Sequence, residues 1–135
     1  MEIIRATPEL IETPIIQQIL PIENRTDLID RIQEGIIMNM IVEDGVPVGF
    51  VGLTGEFGNN LMAVIHQDFR RRGYVYETCL QTITEGFEDS GINEINASVV
   101  QNSPSHQLAI KLGLIEQRIE RTSQMTEVYL SIRIN

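Results

Sequence analysis

No tryptophan occurs among the 135 residues of this sequence, and Cys79 is its one cysteine. A lone cysteine excludes an intrachain disulfide and a cysteine-based zinc site, and it suits a reducing cytoplasm. No cluster of residues has metal-ligand spacing, so no metal is expected. No apolar run approaches the ~20 residues that span a bilayer. The N-terminus is interrupted by Glu2, Arg5 and Glu9 and does not read as a secretory leader. A cytoplasmic protein without a membrane partner is the expectation. Basic residues are scarce: 10 Lys and Arg face 19 Asp and Glu, a net charge of -9. Such a surface repels phosphate backbones, so no nucleic-acid partner is expected. An amine or basic peptide is electrostatically easier to accept, although surplus charge also simply maintains solubility.

What is present reads as one ordinary globular domain over residues 1–135, with 42% hydrophobic and 21% charged residues. Thr7-Pro8-Glu9 opens a helix after a short strand at Glu2–Arg5, and Pro14 and Pro21 break the region into short pieces. A second helix is expected from a Thr26 cap to a Gly35 stop, with Leu28, Ile29 and Ile32 on one face. Asp44-Gly45 between two apolar runs is the strongest hairpin signal. A further turn near Glu56–Asn60 leads into a strand at Leu61–His66. Val75, Cys79, Leu80, Ile83 and Phe87 fall at helical spacing between Gly73 and Ser90. Ile95, Ala97 and Val99 alternate as a strand, and a short helix at Ser105–Leu112 precedes strands at Ile115–Arg121 and Thr126–Ile134. The order predicts an α/β (α+β) domain whose first sheet half is antiparallel. The helix from Gly73 makes a crossover that lets its flanking strands run parallel.

The segment from Val64 to Val75 joins a strand to a helix through Arg70-Arg71-Arg72-Gly73. Backbone N–H groups at a helix N-terminus attract anions, glycine permits a close approach, and guanidinium groups add charge-assisted bonds to phosphate. A solvated basic loop is the plainer reading of the turn taken alone.

Arg70-Arg71-Arg72-Gly73-Tyr74-Val75 resembles the R/Q-x-x-G-x-G/A signature of the GNAT superfamily of N-acetyltransferases, matching its first four positions. Asn102-Ser103-Pro104-Ser105 and Lys111-Leu112-Gly113-Leu114 resemble a second family segment, as in the ribosomal-protein alanine acetyltransferase branch. The resemblance extends along the whole chain and implies one GNAT-like domain with a mixed central sheet of about seven strands and flanking helices. It also implies acetyl-CoA as co-substrate and direct attack by a primary amine. The acceptor can be a small molecule, a protein N-terminus or a lysine. By carry-over, Ala63, Val64 and Ile65 offer backbone to the pantetheine arm, and Arg70, Arg71, Arg72, Gly73, Tyr74 and Val75 wrap the pyrophosphate. Asn102 and Ser105 lie near the thiol end, and the Ile65 N–H is the implied oxyanion donor. Val75 departs from the usual Gly or Ala, Asn60 stands near a usual acidic residue, and Ala109 stands where a tyrosine often protonates the leaving thiolate. The last departure leaves an alternative: a non-catalytic CoA- or acyl-CoA-binding module of the same fold.

Other residues have plainer readings. Ser105 can donate toward a thiolate but reads first as the cap of the helix it opens. His66 is a candidate base that reads more readily as structural, and His106 as an exposed helix residue. Glu56 reads as a solvated turn carboxylate, and Cys79 as a core hydrophobe. The alternating final strand is a possible homodimer surface.

Overall fold

The computed structural model describes residues 1–134. Strand β1 (Glu2–Arg5) is followed by helices α1 (Pro8–Ile11), α2 (Pro14–Ile19) and α3 (Ile22–Gln33). Pro8 and Pro14 each occupy a first turn, where a missing N–H costs nothing. Pro21 likewise stands at the N-cap of α3, so this proline starts a helix. Thr26, expected as that cap, lies one turn inside, and its hydroxyl donates to the Ile22 carbonyl at 3.0 Å. Leu28 is buried on the face the spacing predicted.

Strands β2 (Met38–Glu43) and β3 (Val46–Thr54) pair antiparallel across the expected hairpin. Asp44 and Gly45 have φ of 50° and 78°, the two positive values a tight two-residue turn demands. Then come β4 (Asn60–Ile65), α4 (Tyr74–Asp89), β5 (Glu94–Val100), α5 (Pro104–Lys111), β6 (Ile115–Arg121) and β7 (Thr126–Arg133). The sheet has seven strands in the order β1-β2-β3-β4-β5-β7-β6, and only the β4–β5 contact is parallel. The final strand is therefore interior, hydrogen-bonded on both sides. The two edges of the sheet are β1 and β6, the latter exposed along its whole length, so β7 offers no free edge for a partner strand to pair with.

The sheet's two faces carry separate cores. One packs Ile41, Val51, Leu53 and Ile95 against Cys79 and Ile83 of α4 and Ala109 and Leu112 of α5. The other packs Met38, Met40 and Phe50 against Ile11, Ile16 and Leu28 of α1–α3. Helices α1–α3 thus cover the β1–β4 half of their face. Among the described residues no helix is long and apolar enough to cross a membrane.

Gly49 fixes how closely β3 and β4 meet. A Cβ there would lie 2.6 Å from the Val64 carbonyl oxygen and 3.0 Å from the Ile65 Cα, both backbone atoms. Gly49→Ala therefore pushes β4 sideways and is expected to cost about 1–3 kcal/mol, the range for overpacking. Urea unfolding measures it, and an unchanged midpoint would show that the strands have room.

Candidate active site

The site begins where two strands part. β4 and β5 share one register pair, Asn60 with Asn96, held by the Asn96 N–H donating to the Asn59 carbonyl at 2.9 Å. On the other side of β4, the His66 N–H donates to the Val48 carbonyl at 2.9 Å, continuing the β3–β4 register. Strand backbone groups alternate in direction, so the even residues Met62 and Val64 bond toward β3. The odd residues Leu61, Ala63 and Ile65 direct theirs toward β5. The same logic on β5 starts from the Gln101 N–H, which donates to Thr126, and turns the backbone of Ser98 and Val100 toward β4. Beyond Asn60–Asn96 these groups have no partner strand. Two fringes of free N–H and C=O groups line a wedge between the strands.

A cavity lies on each side of the wedge. The one facing α4 and α5 has a volume of about 410 Å3, with Ala63, Val99, Ser105 and Ala109 in its wall. The one on the opposite face measures about 580 Å3, with Asn60, Asn96, Gln117, Arg118 and Tyr129 in its wall. Leu61, Met62, Ala97 and Ser98 border both. Both volumes suit a small-molecule ligand.

At the far end of β4 the chain makes a 3-10 turn at Gln67–Phe69 and enters α4 through Arg70–Gly73. Arg71 and Gly73 have φ of 64° and 78°, reversals that turn successive N–H groups toward one side. The first α4 bond is donated by the Glu77 N–H to the Gly73 carbonyl, so the N–H groups of Tyr74, Val75 and Tyr76 are free. Gly73 has no atom within 4 Å of where a Cβ would stand. Arg72 donates to the Asp68 carbonyl at 3.1 Å and lies over the Phe69 ring. Among the described residues, Arg70 and Arg71 have neither ion pair nor side-chain hydrogen bond. Tyr74 and Val75 pack half-buried against the core, leaving their backbone to the turn. Free N–H groups, two uncommitted guanidiniums and a helix dipole make an anion cradle whose residues fit a pyrophosphate.

The turn between β5 and α5 corrects two expectations. Ser103, not Ser105, caps α5: its Oγ accepts from the His106 N–H at 3.2 Å, with Pro104 next in the first turn. Ser105 is exposed and uncommitted on the cavity wall. His106, expected on the surface, is 5% exposed. Its Nδ1 accepts from the Asn102 N–H at 2.9 Å, which puts the ring proton on Nε2, 2.6 Å from the Glu116 carboxylate. That contact pins Asn102 in its left-handed conformation, φ 62°, and ties α5 to β6. His66 is structural too: Nδ1 accepts from the Asp68 N–H at 3.2 Å. Glu56 is an exposed turn residue. Burial pushes the Cys79 thiol up to about 12, so this core side chain on the cavity wall is no nucleophile.

Sequence reasoning missed Asn96, Ser98, Gln117, Arg118 and Tyr129. For Asn96 and Ser98 the signal was the polar register of β5, opposite Ile95, Ala97 and Val99, which reads as solvent-facing until the strands are known to part. Gln117 and Arg118 gather through a bulge in β6, where the register shifts between Glu116 and Arg118.

The family model for the acetyltransferase (GNAT) domain matches residues 3–115, and the chain belongs to this family. No curated protein matches it in sequence. Solved structures share the fold at low identity. A ribosomal-protein-alanine N-acetyltransferase from Brucella melitensis superposes with a TM-score of 0.80 at 15% identity, covering 99% of this chain and 100% of that one. YncA from Salmonella typhimurium, solved with its cofactor acetyl-CoA, gives 0.78 at 14% identity, with 100% and 94% covered. A GNAT acetyltransferase from Streptococcus pneumoniae gives 0.74 at 14%, with 98% and 99% covered.

The exchange of roles between the two serines is testable by stability alone. Ser103→Ala removes a cap and is expected to cost about 1 kcal/mol. Ser105→Ala is expected to stay within about 0.5 kcal/mol of wild type. Equal losses in urea unfolding would contradict the assignment.

Proposed function

We propose that this cytoplasmic protein transfers an acetyl group from acetyl-CoA to a primary amine, which attacks the thioester directly across the wedge between β4 and β5. One observation carries the reading: the backbone fringe left unpaired beyond Asn60–Asn96 opens onto a cavity on each face, and β4, which bears it, leads directly into the anion cradle at Arg70–Tyr76. Acetyl-CoA supplies an activated thioester. The cradle's N–H groups, with Arg70 and Arg71, hold its pyrophosphate. Ala63 and Ser98 offer backbone to the amides of its arm, as a missing strand would. The Ile65 N–H is the donor for the carbonyl oxygen as charge develops. Asn102 and Ser105 border the thiol end.

Proton handling follows from what lines the cavities. Among the described residues neither wall includes Asp, Glu or His. Tyr129 is held protonated: Glu127 and Glu120 flank its hydroxyl and raise its pKa, and the hydroxyl donates to Glu120 at 3.2 Å. The amine therefore reacts from its free-base form, with no side-chain base. A CoA thiol, its pKa not far above the ~8.5 of a cysteine, departs as thiolate without an acid, which makes Ala109 tolerable in an enzyme. Ala109, 4% exposed on the cofactor-side wall, also supports a second reading, a CoA-binding module without turnover.

Acetyl-CoA at about a hundred times its Kd is expected to stabilise the fold by about 2.7 kcal/mol, read as a rise in Tm. Gly73→Asp puts a side chain and a negative charge into the cradle, and is expected to abolish the rise while the protein still folds. No rise in wild type, with no heat of binding, would remove the family's central property from this chain.

The rate carries the second test. With no base in the cavity, kcat/KM should climb tenfold per pH unit until the acceptor amine's own pKa. Changing to an acceptor of lower pKa should move the inflection down by the same amount. An inflection fixed near pH 6.5 for every acceptor would reveal a histidine base instead. Binding without acetylation of any amine between pH 7 and 9 would leave the non-catalytic module.

A further inference from the structure

The acceptor-side cavity has a charge pattern that its protein does not share. The chain carries a net charge of -9, yet the one charged side chain on that wall is the cation Arg118. The other polar groups there are neutral: the amides of Asn60, Asn96 and Gln117, the Ser98 hydroxyl and the Tyr129 phenol.

The strands around Arg118 give its guanidinium a direction, although the side chain stays 63% exposed. The β6 bulge turns Gln117 and Arg118, consecutive residues that a regular strand would send to opposite faces, onto the same wall. Arg118 pairs in register with Tyr129, and its Cζ stands 4.2 Å from the ring centroid. Glu120 stands 3.5 Å from the Nε edge. Among the described residues neither terminal nitrogen has a hydrogen-bond partner. A stacked guanidinium with its fork free presents two parallel N–H donors, the geometry that recognises a carboxylate.

We propose that the acceptor is an amine bearing a carboxylate, a free amino acid or a close analogue, whose carboxylate is received by Arg118 and whose body lies against Met62 and Leu130. This names the substrate class of the site proposed above and rests on the assignment of this cavity to the acceptor. A polyamine is the poorer match: the nearby carboxylates, Glu120 and Glu127, lie outside the wall against the Tyr129 hydroxyl and the Arg118 Nε edge, and Arg118 itself repels a second ammonium. A peptide N-terminus lacks the nearby carboxylate, so it forgoes the bidentate contact.

Equilibrium binding tests this without turnover. Leucine, methionine, phenylalanine and glutamine, each with its amide and its decarboxylated amine, are titrated calorimetrically into the CoA-saturated protein, with spermidine alongside. At least one acid is expected to bind ten or more times tighter than its own amide and amine. Arg118→Gln is expected to erase that ratio while moving the amide's affinity by no more than about twofold. Arg118→Lys, which keeps charge but not the fork, is expected to restore only part of it. Amides or spermidine binding as tightly as the acids, or no acid binding, would overturn the proposal. So would an Arg118→Gln protein, folded by its Tm, that keeps the acid preference. If CoA does not bind, the acetyltransfer reading falls on that result alone. The same titrations into the free protein then still decide whether Arg118 selects a carboxylate.

Discussion

The structure depends on one rung. Asn60 and Asn96 form the single register pair between two antiparallel half-sheets, β1–β4 and β5–β7–β6, each fully laddered within itself. Had the parallel ladder continued, Ala63, Ile65 and Ser98 would have spent their backbone groups on one another. Unpaired backbone is costly when buried and cheap when it meets water or a ligand. The wedge is sustainable because it opens onto cavities on both faces. Below it, Cys79 and Ile83 of α4 bridge the halves by packing against Leu53 and Ile95. The helix holds the halves together while leaving the strands apart.

Charge is distributed along the wedge in a way that the net value of -9 conceals. At one end Arg70 and Arg71 are free of carboxylates, although acidic residues outnumber basic ones almost twofold. The middle is lined by neutral backbone and small side chains. At the other end Arg118 is again a cation without a tight partner. Two other arginines are answered more closely: Arg5 meets Glu85 at 3.0 Å, and Arg31 meets Asp27 at 2.9 Å. Among the described residues neither cavity wall includes an acidic side chain, although Glu120 and Glu127 stand beside Tyr129, so global charge predicts solubility better than it predicts the cavity linings.

Much of the fold was legible in the sequence because local signals were strong. Asp44-Gly45 demanded a tight hairpin, and the apolar spacing of α4 placed Cys79 and Ile83 on its buried face, although Leu80 of the same set is exposed and Thr78 and Thr82 are buried beside them. The errors came where two residues competed for one role. Ser103 and Ser105 could each cap α5, and Pro104 decides it, since a proline belongs in the first turn after the cap. Pro21 and Thr26 could each begin α3, and the proline again won. The cradle was legible through Arg70–Gly73, but the cavity on the opposite face of the sheet was not. Its wall is assembled from β4, β5, β6 and β7 by strand order and a bulge, and no short sequence window contains those.

His106 joins the two sides of the site. Its ring accepts from the Asn102 N–H at one nitrogen and reaches Glu116 of β6 with the other. Only the tautomer with its proton on Nε2 satisfies both contacts, since a second ring proton would face the Asn102 N–H donor. The neutral ring is therefore a strut of fixed length between the turn that precedes α5 and the edge strand that carries Arg118. Glu116 is also where the β6 register slips, which puts Arg118 on the same cavity wall as Gln117. The helix bearing Ser105 and the bulge bearing Arg118 are thus held to one another through a single imidazole. Its burial, which the exposed-helix reading of the sequence could not anticipate, follows from that position between them.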